Sequence, residues 1–100
     1  MFDNERYVTR GIANTVPLSL QIMMWNMINE LCQTKKKIDY LQVFKVCVSD
    51  NHIHIEHSST NPKYDKIYEF GTVVAVHTNK WTIWVMDDGV QSVMMFPEER

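Results

Sequence analysis

Scarcity narrows the field first. Only two of the 100 residues are cysteine. Cys32 follows Leu31 and Cys47 lies between Val46 and Val48, so both sit in apolar stretches. Two unclustered cysteines make neither a disulfide scaffold nor a zinc knuckle, and both read as small buried hydrophobes in a reducing compartment. No stretch approaches the roughly 18 apolar residues that a membrane-spanning helix needs. The opening Met-Phe-Asp-Asn-Glu-Arg is polar, unlike a secretory leader, and the closing Pro97-Glu98-Glu99-Arg100 carries no lipidation box. A cytoplasmic protein without membrane contact is expected. Charge of one sign is scarce too, with 10 Lys+Arg against 12 Asp+Glu and a net charge of −2. Neutralising a phosphate backbone needs a basic excess, so nucleic acid is not an expected partner. The three glycines, Gly11, Gly71 and Gly89, stand far apart. None opens a helix inside a glycine-rich loop, which removes phosphate-loop nucleotide binding.

What is present is apolar. Hydrophobic residues make up 45% of the chain and charged residues 22%, the balance of a chain that buries a core rather than one that stays disordered. One domain spanning 1–100 is expected. Residues 6–12, with Tyr7, Val8 and Thr9, read as a strand. Pro17 suits a first helical turn, and residues 17–33 read as a helix. Leu20, Met24, Met27 and Leu31 form one stripe at 100° per residue. Leu18, Ile22, Trp25 and Cys32 form a second, more than a helix lying on one sheet needs. Residues 41–48, 52–57, 64–70, 73–77 and 81–86 read as strands, with turn chemistry at Ser49-Asp50-Asn51 and a polar loop over 58–62. Asp88-Gly89 predicts a two-residue type I′ turn that sets Trp84 opposite Val93 and Trp81 opposite Phe96. One face of that hairpin carries Trp84, Val93 and Met95; the other carries Trp81, Ile83, Val85, Met94 and Phe96. The expected class is α+β, with one N-terminal helix packed on a twisted, mainly antiparallel sheet of five to six strands.

Three constellations bear on chemistry. In His52-Ile53-His54-Ile55-Glu56-His57, residues at i, i+2 and i+4 share a strand face, so His52, His54 and Glu56 project together. Two imidazoles and a carboxylate form a first shell for zinc or non-haem iron, with His77 as a further donor. Simple alternation, with Ile53 and Ile55 facing inward, generates the same pattern. Lys35, Lys36 and Lys37 follow the helix, where cations complement its dipole; they are also a candidate anion site. Lys63-Tyr64-Asp65-Lys66-Ile67-Tyr68 interleaves aromatics with lysines, though Asp65 and Glu69 weaken its potential. Ser58 and Ser59 beside His57 have no third group to complete a nucleophilic triad.

The order of segments is also informative. Arg6-Tyr7-Val8-Thr9-Arg10-Gly11 leads to Val16-Pro17-Leu18 and a helix with Trp25 and Ile28-Asn29-Glu30-Leu31. Asp39-Tyr40-Leu41-Gln42-Val43-Phe44 follows, then Trp84-Val85-Met86-Asp87-Asp88-Gly89, Ser92-Val93-Met94-Met95 and Glu98-Glu99. This resembles the "domain of unknown function 960" family, small proteins of low-GC Gram-positive bacteria and their phages. The resemblance covers nearly the whole chain and is weakest between His52 and Lys80. It brings no catalytic residues; it implies a cytoplasmic accessory protein of a bacterium, phage or mobile element.

The leading functional expectation is a non-enzymatic protein-interaction module without a cofactor. Surplus apolar residues, Leu18, Ile22 and Trp25 on the helix and Trp81, Trp84, Met94 and Met95 on the last hairpin, are the expected contact surface. A symmetric homodimer is expected first, then a protein target, for example a host defence or regulatory factor that a phage protein masks. Two alternatives differ in class. One is capture of a nucleotide signal, with charge from Lys35, Lys36, Lys37, Arg6 and Arg10. The other is a metal-dependent enzyme using His52, His54 and Glu56.

Overall fold

The computed structural model describes residues 1–71 and 78–100. Six strands form one sheet: β1 (Glu5–Val8), β2 (Leu41–Ser49), β3 (His52–Thr60), β4 (Lys63–Gly71), β5 (Asn79–Asp87) and β6 (Gln91–Met95). Their order is β1-β6-β5-β2-β3-β4. Every neighbouring pair is antiparallel except β1 and β6, which run parallel. Helices α1 (Arg10–Thr15) and α2 (Leu18–Thr34) follow β1, and a 3₁₀ turn covers Pro97–Glu99. The architecture is α+β. The strand expected at 73–77 lies outside the described residues, as does His77.

The first expected strand is cut short. β1 stops at Val8 because the next residue caps a helix: the Thr9 hydroxyl accepts a hydrogen bond from the Ile12 amide at 3.2 Å. A threonine oxygen satisfying a free first-turn amide outweighs the β preference of Tyr7, Val8 and Thr9. The chain therefore has two helices before β2 instead of one. Gly11 in α1 is required by close approach, since a Cβ there would come within 2.5 Å of Glu99 Oε2. That carboxylate accepts from the Thr9 hydroxyl at 2.7 Å and the Phe96 amide at 2.8 Å, tying the last turn to the first helix.

Helix α2 matches its expectation within a residue at each end. Leu20, Met24, Met27, Ile28 and Leu31 are its buried face, as their three- and four-residue spacing requires. They share a core with Phe44, Val46 and Val48 of β2, Ile53 and Ile55 of β3, Ile83 and Val85 of β5, and Met94 of β6. Period-two alternation selects these positions on every strand.

Two of the hairpin turns around this core follow from their residues. Asp50 and Asn51 have φ of 39° and 63°, the two positive values a type I′ turn demands, and Ser49 pairs with His52 across it. The β5–β6 turn departs from expectation. Only Gly89 has positive φ, at 93°, and the Asp88 amide donates to the Gln91 carbonyl at 3.1 Å. The central pair is therefore Gly89-Val90, a II′-like arrangement with glycine first. The Asp88 carboxylate selects it by accepting from the amides of Val90 and Gln91, each at 2.9 Å, while Asp87 accepts from Gly89 at 2.8 Å. Trp84 consequently pairs with Met95 rather than Val93, and Met86 with Val93. A two-residue shift preserves side-chain parity, so the expected faces of this hairpin stand.

Candidate functional site

One face of the sheet carries α2. On the other, strand pairing sets side chains in rows. Tyr7 of β1 pairs with Val93 of β6, which pairs with Met86 of β5, which pairs with Leu41 of β2. Beside that row, Met95 pairs with Trp84 and Trp84 with Val43. The result is one apolar block of seven side chains across four strands. None of the seven belongs to the core cluster beneath α2. Tyr7 is 46% exposed; Leu41, Val43, Trp84, Met86 and Val93 are half-buried, and only Met95 is nearly covered, at 8%. Neighbours within the sheet give such side chains partial cover.

Further along the same face the rows turn polar. Lys45 pairs with Thr82 on one side and Glu56 on the other; Cys47 pairs with Lys80 and with His54. These side chains help line an open cavity of about 410 Å³. His54 Nδ1 lies 3.1 Å from Glu69 Oε1, and His52 Nε2 lies 3.6 Å from the same oxygen. This pairing with His54 and then His52 holds the Glu69 carboxyl below its ordinary value. His54 Nε2 and Glu56 Oε2 are 3.7 Å apart. The expected triplet of His52, His54 and Glu56 thus shares a face, but its imidazoles turn toward β4. Among the described residues no group of three His, Cys, Asp or Glu side chains is arranged to hold a metal ion.

The expected contact residues divide. Leu18 and Ile22 are 69% and 49% exposed on α2. Trp25 and Cys32, from the same expected stripe, pack partly against the core. The Arg6 guanidinium lies 4.9 Å from the centre of the Trp25 ring, and its Nη2 donates to Asn29 at 2.6 Å. Trp81 also packs against the core, and Met94 is fully buried within it. Met94 therefore offers no contact surface, because its parity on β6 points it under α2. Trp84 and Met95 lie on the open face. Arg6 is held by Asn29 and the Trp25 ring, both within α2, while Lys35 and Lys37 follow that helix.

Two buried polar groups support this architecture, and the sequence pattern points to neither. Asp39 precedes β2 and is 7% exposed. Its carboxylate accepts from the Leu41 amide at 3.1 Å, the Asn61 amide at 2.8 Å, and the Thr60 amide and hydroxyl, both at 3.3 Å. Burial alone would raise its pKa, but these donors outweigh burial and hold it below the ordinary value. His57 is fully buried, stacked on Phe44 at 4.3 Å and edge-on to Tyr64 at 5.0 Å. Gln42 donates to the Asp39 carbonyl at 2.8 Å, so its oxygen faces His57 Nε2, 2.7 Å away. That geometry makes Nε2 the protonated nitrogen and leaves Nδ1 as a buried lone pair with no partner among the described residues. Burial pushes the His57 pKa down to about 4. The Ser59 hydroxyl donates to the Pro62 carbonyl rather than to His57.

Comparison with known proteins agrees with this architecture. Among the described residues no helix is long and apolar enough to cross a membrane. No curated protein matches the chain. A solved structure described as a protein of unknown function from Enterococcus faecalis shares the fold, with a TM-score of 0.79 and 18% sequence identity. The match covers 98% of this chain and 92% of that one. The family profile described as "Staphylococcal protein of unknown function (DUF960)" matches residues 5–99, and the chain belongs to that family.

Proposed function

We propose that this protein is a non-enzymatic binding module and that the open sheet face is its interface with a second copy of the same chain. The observation that carries the reading is the seven-residue apolar block of Tyr7, Val93, Met95, Trp84, Met86, Leu41 and Val43, which stands outside the core cluster. Aromatic and methionine side chains at the centre of a patch are the composition of an interface core. The molecule measures 36 × 27 × 19 Å, so its broad face is of the order of the roughly 800 Å² per partner that a standard interface buries. A second copy fits the chemistry because a twofold contact requires only one patch that matches itself. The polar part of the same face carries both signs, Lys45 and Lys80 beside Glu56 and Glu69, which suits a self-complementary rim. The two free thiols, Cys32 and Cys47, are in keeping with a reducing cytoplasm.

Sedimentation equilibrium at micromolar concentration tests this. The expected result is a dimer for the native chain and a monomer for Trp84→Glu, which buries a charge in the contact. A native chain that sediments as a monomer overturns self-association and leaves the face to a different protein. A Trp84→Glu dimer overturns the choice of face.

A further inference from the structure

A second cavity, of about 210 Å³, lies on the opposite side of the sheet where α2 ends against the β3–β4 turn. Its polar side is built by Lys35 and Lys37 after α2 and by Lys63 at the start of β4; its apolar wall includes Leu31, Ile38 and Tyr64. We infer that this cavity binds a small phosphomonoester, with the three lysines on the phosphate and the organic group against the wall.

The charges support this. Complementing the helix dipole accounts for Lys35 and Lys37 but not for Lys63, which comes from another element. Among the described residues, no carboxylate comes within salt-bridge distance of Lys35 or Lys37, and Lys63 reaches only Asp65, at 4.0 Å. The nearest buried acid, Asp39, already accepts four hydrogen bonds from the β3–β4 turn and the start of β2. The negative end of α2 opposes an anion, but its carbonyls are partly occupied. The Thr34 hydroxyl donates to Glu30 at 3.0 Å and to Leu31 at 3.3 Å, and the Lys35 amide donates to Leu31 at 3.0 Å. Three full positive charges outweigh the roughly half charge of a helix end.

The wall sets the size and nature of the rest of the ligand. The volume is below the roughly 300–1,000 Å³ of sites for drug-sized molecules, so one phosphate with a compact apolar group fills it. Tyr64 makes a T-shaped contact with the buried His57 ring at 5.0 Å, which steadies it as part of the wall.

Isothermal titration calorimetry of the full chain at low salt, with phenyl phosphate, inorganic phosphate and phenol, tests the inference. Phenyl phosphate is expected to bind most tightly and to weaken as salt is added. Lys63→Gln is expected to reduce its affinity about tenfold, the loss of one charge-assisted contact. Lys63→Arg, which keeps the charge, is expected to leave it nearly unchanged. No saturable heat from phenyl phosphate, an unchanged affinity in Lys63→Gln, or equal binding of phenol or inorganic phosphate would overturn the proposal.

Discussion

The two faces of this sheet are made from the same strands by alternate residues, yet they differ in what covers them. On β2, Phe44, Val46 and Val48 lie under α2 and are almost sealed, while Leu41 and Val43 on the other pleat remain half-buried. Met94 is fully buried and its neighbour Val93 is not. Within the seven-residue block the open face is as apolar as the covered one; its cover is not the same. An oily side chain therefore indicates a fold on one face and a contact on the other, and parity decides which.

That contrast predicts unequal responses to substitution. The largest is expected under the helix. Phe44→Ala removes a ring stacked on His57 and should destabilise the fold by roughly 3–5 kcal/mol in denaturant titrations at fixed protein concentration. Trp84→Ala, on the face that no helix covers, should leave the subunit within about 1 kcal/mol of the native value once both are compared as monomers. Equal losses would erase the distinction between the faces.

Next in size is a dependence on pH that arises on the covered face. Neutral His57 has its pKa lowered from 6.5 to about 4 by burial. Between those values the unfolded chain takes up a proton that the folded chain does not, so stability is full above pH 6.5 and falls as pH drops toward 4. The loss across that window is of the order of 3 kcal/mol. His57→Phe should flatten the slope over that window while keeping the stack on Phe44. An unchanged slope would place the titrating group elsewhere. Asp39→Ala should cost about 2 kcal/mol by stranding four donors, some of which water can reach. The smallest effect belongs to the open face: His54→Ala, which breaks exposed contacts to Glu56 and Glu69, should change stability by less than about 0.5 kcal/mol.

Much of this arrangement is legible in the sequence, and the gaps have physical causes. The helix at 17–33 and the strands at 41–48 and 64–70 follow from periodicity, because burial of one face imposes it. The turn at Asp50-Asn51 follows from residues that tolerate positive φ. By residue preference Thr9 is a β-former, yet it caps α1, since threonine serves both roles and only the free amide of Ile12 decides. The β5–β6 turn moved by one residue because the Asp88 carboxylate chooses its amide partners, which residue preference alone does not reveal. The apolar block was only half visible. Trp84, Val93 and Met95 fall on one face by parity, but Tyr7, Leu41 and Val43 join them only through the strand order β1-β6-β5-β2. Trp25 and Trp81 pack against the core, which no local sequence pattern reveals. Lys63 meets Lys35 and Lys37 only when the β3–β4 turn folds back beside the end of α2.

The most direct test of the open face as an interface is sedimentation equilibrium of the native chain beside Trp84→Glu, at matched micromolar concentrations. The account predicts about twice the 11.8 kDa chain mass for the first and a single chain mass for the second. One chain mass for both, or the doubled mass for both, would contradict it.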